Sequence, residues 1–250
     1  MLTVRWCAET DYQTVWQAMQ RFTRQRDATT PDEIWLLQHP PVYTLGQAGR
    51  PEHMLNARNI PVVHTDRGGQ ITYHGPGQLV AYCLVDLRRR GLFVRTFVTL
   101  LEQALLDLLT EFALPARRIA GAPGVYVPVA CMQHAENTPA LPPGPSSSSA
   151  SSHPVVLQEN GAALSFAGWA KVAALGLKVS NGCTYHGLAL NINMDLAPFT
   201  AIDPCGYQGM VTTDLQSCGV PLSLKQAGNL LATMLEQALQ KHPHQSGAPA

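Results

Sequence analysis

The 250-residue sequence lacks any apolar run near the roughly 20 residues that a membrane-spanning helix needs. Its first nine residues also lack the apolar core and small-residue cleavage pattern of a secretory signal. The formal net charge is also zero, because 17 Lys and Arg balance 17 Asp and Glu. The chain therefore has no overall basic excess that would attract it to nucleic acid or to an anionic membrane. We expect a globular cytoplasmic protein that binds neither nucleic acid nor membrane.

Cysteine pairs in C-x-x-C spacing are also absent, although the chain has six cysteines. The scattered positions argue against a zinc knuckle and against a disulfide framework, and we expect no metal site. Each thiol is therefore taken as free, and the question is which of them is reactive. The cysteines are Cys7, Cys83, Cys131, Cys183, Cys205 and Cys218.

The apolar pattern predicts three helices with short strands between them. Thr10 and Gln13 fit a capping box for the first helix, the second runs from Val94 to Phe112, and the third begins at Ser223 with Gln226 as its box partner. Short apolar runs bounded by Pro or Gly predict buried strands. These runs are 34–37, 42–45, 79–87, 124–127, 172–179 and 188–193. Because strands and helices do not alternate regularly, the pattern favours an α+β fold with a mixed or antiparallel sheet flanked by helices.

We interpret residues 1–250 as one domain with an internal insertion. The segment at about 128–160 is rich in Pro and Ser and cannot bury a core, so we expect a mobile loop there. The tail 242–250 is expected to fray.

The densest local signal is the glycine-rich segment from Arg67 to Gln78. Glycines let main-chain N–H groups approach a ligand closely, and an arginine beside them can fix an anionic or carbonyl oxygen. The segment matches neither G-x-G-x-x-G nor the P-loop pattern, so a nucleotide loop is not supported. A glycine-rich hairpin turn with no ligand remains an alternative.

Two further segments place a polar side chain among small or apolar neighbours. Lys171 stands in an apolar strand, where desolvation favours loss of its proton, although a strand-end lysine that reaches water is the commoner case. His186 precedes Gly187, whose small size leaves room for a substrate, although a buried histidine is more often structural.

Cys205 lies between Pro204 and Gly206, a setting that favours an exposed and attackable thiol. By contrast, Cys83 lies inside an apolar strand and is expected to be inert. An unreactive buried thiol is the alternative for Cys205 also.

In combination these segments resemble one family, the octanoyltransferases of lipoate biosynthesis. The motifs that carry the resemblance occur in the family's order. They are Arg-Gly-Gly-Gln-x-Thr-Tyr-His-Gly-Pro-Gly-Gln at 67–78, Gly-Val-Tyr-Val at 124–127, Lys-Val-Ala-Ala-Leu-Gly at 171–176, His-Gly-Leu-Ala-Leu-Asn at 186–191 and Pro-Cys-Gly at 204–206.

The resemblance implies the catalytic core shared by biotin and lipoate protein ligases, with Cys205 and Lys171 as the catalytic pair. It implies an octanoyl-acyl carrier protein as donor and, as acceptors, lipoyl domains of 2-oxoacid dehydrogenases and the glycine cleavage H protein, with no cofactor. It also implies a substrate channel. The residues implied for it are Arg67, Gly68, Gly69, Gln70, Ile71, Thr72, Tyr73, His74, Ala174, Leu175, Gly176, His186, Gly187, Leu188 and Ala189.

Two other functions are compatible with such a fold. An ATP-dependent lipoate or biotin protein ligase would need no nucleophilic cysteine, so the Pro-Cys-Gly motif weighs against it. A non-catalytic protein that binds acyl carrier protein or lipoyl domains would not need both Lys171 and Cys205.

Overall fold

The structure is a computed structural model. It describes residues 2–56, 59–132, 156–157, 163–204, 207 and 209–244. Three α-helices of this part of the chain are α1 (Tyr12–Gln25), α2 (Val94–Thr110) and α3 (Leu224–Gln240). None of the described helices is long and apolar enough to cross a membrane.

Twelve strands are found in the described residues. In chain order they are β1 (Leu2–Trp6), β2 (Asp32–Leu37), β3 (Val42–Leu45), β4 (Val62–His64), β5 (Ile71–His74), β6 (Gln78–Leu84), β7 (Arg117–Ile119), β8 (Ala122–Pro128), β9 (Val156–Leu157), β10 (Ala163–Leu164), β11 (Trp169–Ser180) and β12 (Cys183–Asn191).

Seven strands form the central sheet in the order β1-β2-β6-β12-β11-β8-β7. Its first pair is parallel and the other pairs are antiparallel. A smaller sheet, β4-β3-β5, combines one parallel and one antiparallel pair. The expected α+β fold with mixed sheets and flanking helices is confirmed.

The central sheet has helices on both faces because its strands alternate two apolar sets. Along β6, Leu79 and Ala81 pack with the aliphatic cluster that includes α2 and α3. Val80 and Tyr82 point to the other side, where α1 contributes Met19 to a second cluster. The larger cavity described below lies on the α1 side, because Tyr12, Val80 and Tyr82 of this second cluster line it.

The helix ends show one correct and one wrong capping prediction. Ser223 and Gln226 form the expected reciprocal capping box at α3. At α1 the cap is Asp11, not Thr10, because the Asp11 carboxylate accepts from the N–H groups of Gln13 and Thr14 at 3.1 and 2.9 Å. The Thr10 hydroxyl instead donates to the carbonyl of Ala8.

Most of the predicted insertion lies outside the described residues, as does the tail from 245. Its first residue, Pro128, is the last residue of β8 and pairs with Trp169 of β11. Residues 129–132 then form a 3₁₀ turn, and β9 pairs with β10.

Candidate active site

A cavity with an empty volume of about 480 Å³ opens on the α1 side of the central sheet. Three chain segments that are far apart in sequence form its wall. Its lining residues are Tyr12, Arg67, Gly69, Gln70, Ile71, Thr72, His74, Val80, Tyr82, Ala174, Leu175, Gly176, His186, Gly187, Leu188 and Ala189.

Thirteen of the fifteen substrate-binding residues implied by the sequence resemblance are in this wall. The two exceptions are Gly68 and Tyr73. Gly68 donates its N–H to the carbonyl of Leu177 at 2.8 Å and so joins the loop to β11. Tyr73 packs its ring against Tyr43 and Phe199 behind the wall.

Arg67 organises the loop that it begins. Its guanidinium donates to the Thr44 carbonyl at 2.6 Å, to the Gln70 carbonyl at 2.8 Å and to the Gly68 carbonyl at 2.9 Å. A contact of Arg67 with a ligand oxygen therefore stays a prediction, while its contacts with protein carbonyls fix the curvature of the cavity wall.

His186 is held by Asp66 in an unusual backbone conformation. Strict strand alternation would place its ring on the side of Leu188 and Leu190, but its φ of +60° is in the left-handed region. The ring instead reaches Asp66, with Nε2 at 2.9 Å from Oδ1, and stacks near Tyr12. Such strained residues cluster at functional sites.

Asp66 was not singled out from the sequence, yet it joins two elements, α1 and β12. Besides His186 it accepts from the Tyr185 hydroxyl at 2.6 Å and from the Trp16 indole at 2.9 Å. Burial acts to raise the pKa of Asp66, but the hydrogen bonds from His186 and Tyr185 outweigh it, so the pKa lies well below its usual value.

Three buried histidines around the cavity are neutral near pH 7. Burial lowers the pKa values of His39 and His186, and it lowers the pKa of His74 to about 3. Tyr12 lies between these rings, 5.3 Å from His39 and 5.9 Å from His74 between centroids. The imidazole rings at this aromatic end of the cavity therefore carry no charge near pH 7.

Both nitrogens of the His74 ring have partners. Nδ1 lies 2.7 Å from the Gln78 Oε1, and Nε2 lies 3.3 Å from the Thr44 hydroxyl. Gln78 in turn donates to the Asn191 Oδ1 at 2.9 Å, and Asn191 donates to the Thr213 carbonyl at 2.8 Å. This buried chain of amides links the glycine-rich segment to the residues beside Lys171.

A smaller cavity of about 280 Å³ lies next to the first, and Thr72 and Ala174 line both. Lys171, Pro204 and Thr212 also belong to its wall. Lys171 is only 3% exposed and donates from Nζ to the Pro123 carbonyl at 2.9 Å. Lys171 thus lines the same small cavity as Pro204, the residue that precedes Cys205, and Cys205 itself lies outside the described residues.

The Pro123–Gly124 peptide links Lys171 to a buried carboxylate. The Gly124 N–H of this peptide donates to Glu102 of α2 at 3.0 Å, while its carbonyl accepts from Lys171. Gly124 has a φ of +142°, and a Cβ there would lie 2.5 Å from the Lys171 Cε. Any larger residue at position 124 would collide with the Lys171 side chain, so glycine is required there.

Four of the described cysteines are poor candidates for a nucleophile. Burial raises the pKa of Cys83 to about 12 and also raises the pKa values of Cys7, Cys183 and Cys218. A thiol that keeps its proton attacks slowly.

Sequence reasoning missed several residues because their positions depend on the tertiary fold. Tyr12 and Tyr82 reach the cavity from α1 and β6, and Thr212 reaches the smaller cavity from a loop. Of these missed residues, Asp66 alone has a signal in the local sequence, because it directly precedes the glycine-rich segment.

Comparison with known proteins assigns the chain to a class. Residues 11–236 match the family model described as the lipoyl protein ligase A/B catalytic domain. Two solved structures share the fold. A bipartite lipoate protein ligase from Thermoplasma acidophilum has a TM-score of 0.63 at 14% identity, over 96% of this chain and 83% of that chain. A lipoate-protein ligase A bound with ATP has a TM-score of 0.63 at 13% identity, over 100% of this chain and 88% of that chain.

Closer relatives define the family within that class. The octanoyltransferase of Bordetella parapertussis is 52% identical over 237 residues, which are 94% of this chain and 92% of that protein. The octanoyltransferase of Bordetella petrii is 49% identical over 247 residues, 98% of this chain and 99% of that protein. The chain belongs to the octanoyltransferase family.

Proposed function

We propose that this protein transfers an octanoyl group from octanoyl-acyl carrier protein to a lysine of a lipoyl domain, through a thioester on Cys205. The observation that carries the proposal is the position of Lys171, buried in the wall of a small cavity beside Pro204. That cavity shares Thr72 and Ala174 with the larger one, so an acyl chain in the larger cavity can present its carbonyl next to Lys171. Membership of the octanoyltransferase family supports the choice of acyl group.

The first half-reaction needs a thiolate. The neutral Lys171 amine takes the proton of the Cys205 thiol, and the sulfur attacks the carbonyl carbon of the carrier thioester. A C–S bond to Cys205 forms, the C–S bond to the carrier breaks, and the carrier sulfur receives the proton from the Lys171 ammonium. Since one thioester replaces another, the step is nearly balanced in energy and needs no ATP.

In the second half-reaction the amine of the acceptor lysine attacks the acyl-enzyme. A C–N bond forms, the Cys205 sulfur leaves, and Lys171 takes the proton of the amine. His74 is the other base that could carry this proton. We assign it to Lys171 because both ring nitrogens of His74 have protein partners and its pKa is about 3.

The larger cavity fits the acyl chain. Val80, Ala174, Leu188 and Ala189 give it apolar wall, and the neutral histidines place no charge at the aromatic end. An apolar wall of this kind favours a hydrocarbon chain over a charged one.

The proposal includes the partners and the place of action. The donor is octanoyl-acyl carrier protein, and the acceptors are lipoyl domains of 2-oxoacid dehydrogenases and the glycine cleavage H protein. The reaction takes place in the cytoplasm without a cofactor.

The decisive experiment is intact mass spectrometry after the protein is mixed with octanoyl-loaded carrier protein. We expect one octanoyl adduct, mapped to Cys205, that disappears when a lipoyl domain is added. The Cys205→Ala variant should form no adduct, while the control variants Cys83→Ala and Cys218→Ala should form it. An adduct on Cys183, or modification of the lipoyl domain only with free octanoate and ATP, would contradict the proposal.

Lys171 is tested separately by its protonation. Lys171→Ala removes charge and base, whereas Lys171→Arg keeps a charge that cannot accept a proton near pH 7. We expect both variants to lose transfer, with Lys171→Arg retaining more of the rate of iodoacetamide labelling at Cys205. Transfer at the wild-type rate by Lys171→Ala would remove the lysine from the mechanism.

A further inference from the structure

Thr212 lies directly beside Lys171. The Lys171 N–H donates to the Val211 carbonyl at 2.8 Å, and the Thr213 N–H donates to the Lys171 carbonyl at 2.9 Å. These two bonds pair Lys171 with Thr212 as a parallel bridge. Residues paired in this way carry their side chains on the same side, and both residues line the smaller cavity.

The two residues after Thr212 have clear structural roles. Thr213 accepts from Asn191 through its carbonyl at 2.8 Å. Asp214 accepts from the N–H groups of Ser217 and Met194 at 2.8 and 3.1 Å. These contacts hold the segment against the sheet, so Thr212 has a fixed position.

The Thr212 hydroxyl differs from its neighbours. Its oxygen is buried, and within the described part of the chain it has no hydrogen-bond partner. A buried hydroxyl without a partner costs roughly 1–3 kcal/mol, so proteins seldom keep one unless another molecule completes it. Valine has nearly the same shape and would avoid this cost.

We propose that the Thr212 hydroxyl donates a hydrogen bond to the carbonyl oxygen of the acyl group and is thus a further catalytic residue. This inference rests on the proposed function. When sulfur or amine attacks, the C=O π electrons move to the oxygen, and the hydroxyl donates to the resulting oxyanion without losing its proton. When the tetrahedral centre collapses, the C=O bond reforms and the leaving sulfur departs. The same hydroxyl serves both half-reactions, since the acyl carbonyl stays at one place.

The geometry favours this role over binding of the acyl tail. Thr212 lines the cavity with Lys171 and Pro204, where bonds are made and broken, and is absent from the wall of the larger cavity. A donor placed where negative charge develops stabilises the transition state more than the bound substrate. Its loss should therefore lower kcat and leave KM nearly unchanged.

The chain offers a matched control in Thr23. Its hydroxyl is also buried and has no partner among the described residues, but it lies on α1 and lines neither cavity. Thr23→Val thus removes the same kind of group without touching the reaction.

The test compares Thr212→Val, Thr212→Ser and Thr23→Val with the wild type. We expect Thr212→Val to lower kcat of acyl-enzyme formation about 100-fold with KM changed less than about 3-fold. Its Tm should be equal to or above that of the wild type, because an unpaired buried group is removed. Thr212→Ser should recover most of kcat, and Thr23→Val should match the wild type in kcat.

Three results would overturn the assignment while leaving the proposed function intact. They are wild-type kcat in Thr212→Val, a fall in kcat that follows a fall in Tm, and a Thr212→Ser variant as slow as Thr212→Val. If the wild-type protein itself forms no acyl-enzyme, the proposed function fails and this inference fails with it.

Discussion

The two faces of the central sheet differ in chemistry although one set of strands builds both. The face under α2 and α3 is aliphatic, as Leu101, Leu105 and Leu231 show, and these side chains are fully buried. The face toward α1 carries tyrosine and histidine rings, glycine backbone and open space. Because successive side chains along β6 and β12 point to opposite faces, each of these strands contributes to both faces.

Buried polar groups, in contrast, are not divided between the faces. Asp32 contacts Arg26 at 2.7 Å and Arg90 at 2.6 Å. The His186 Nδ1 and the Thr212 hydroxyl near the cavities have no hydrogen-bond partner among the described residues, and the same holds for the Thr23 hydroxyl, which lines neither cavity. The faces therefore differ in their aliphatic and aromatic content, and substitutions on the two faces should separate stability from activity.

The largest effect is expected on the aliphatic face. Leu105→Ala should lower the free energy of unfolding by about 2–5 kcal/mol, because it leaves a cavity under α2. The rate of octanoyl transfer per folded molecule should stay near that of the wild type. Urea unfolding and transfer kinetics at low temperature measure the two quantities.

A suitable control is Leu55→Ala, since Leu55 is 59% exposed and its loss should change stability by less than about 0.5 kcal/mol. A large loss of specific activity in folded Leu105→Ala would show that the faces are not separable.

Gly124→Ala should have the opposite effect to Leu105→Ala, with the loss in octanoyl transfer. A Cβ there would lie 2.5 Å from the Lys171 Cε and 2.6 Å from the Ala173 carbonyl oxygen, so the lysine must move. We expect transfer to fall at least about 100-fold, since small misplacements of a reacting group cost that much. Initial rates with octanoyl carrier protein provide the measurement.

Gly168 supplies the control for backbone strain alone. Its φ is +76°, but no atom lies within 4 Å of an added Cβ, so Gly168→Ala has the strain without the collision. It should cost about 1 kcal/mol of stability and leave transfer intact. Equal losses of transfer in the two variants would mean that strain, not displacement of Lys171, is responsible.

The smallest expected effect is a loss of folding stability at acidic pH. The unfolded chain binds protons at its histidines near pH 6.5, whereas folded His74 does so only at about pH 3. Protonation therefore favours the unfolded state, so stability is complete above pH 6.5 and falls as the pH drops below it. The slope is up to about 1.4 kcal/mol per pH unit for each histidine kept neutral.

Urea midpoints between pH 7.5 and 5 test this expectation. His74→Gln should flatten the slope, and His64→Gln, at an exposed position, should not. Asp66 also has a lowered pKa, but an unfolded aspartate titrates near 3.9, so its contribution is lost only below this window. An unchanged slope in His74→Gln would show that His74 is charged in the folded protein.

Local sequence predicted the features that short-range forces decide. The α3 capping box needs only Ser223 and Gln226, and it formed as expected. At α1, two adjacent residues could cap the helix, and the Asp11 carboxylate accepted two N–H groups where the Thr10 hydroxyl could accept fewer. Local pattern could not decide between them.

Among the site residues, too, local sequence predicted only those that belong to a recognisable motif. The segments around Arg67 and Lys171 have recognisable motifs, and the fold brings them to adjoining cavities. Tyr82 and Thr212 belong to no such motif, because each reaches a cavity wall only when β6, β11 and β12 lie side by side. Tyr82 pairs with Gly187, 105 positions away, and Thr212 pairs with Lys171, 41 positions away, and periodicity along one segment does not report such contacts.

The place of α3 in the chain has a consequence for synthesis on the ribosome. This helix covers the aliphatic face and packs Gly228 against Trp6 of β1, where an added Cβ would lie 2.3 Å from the indole. Every residue of both cavities is made before α3 leaves the exit tunnel. Until α3 packs against the sheet, part of the apolar sheet face stays uncovered, and exposed apolar surface of this kind makes a partly folded chain prone to aggregation.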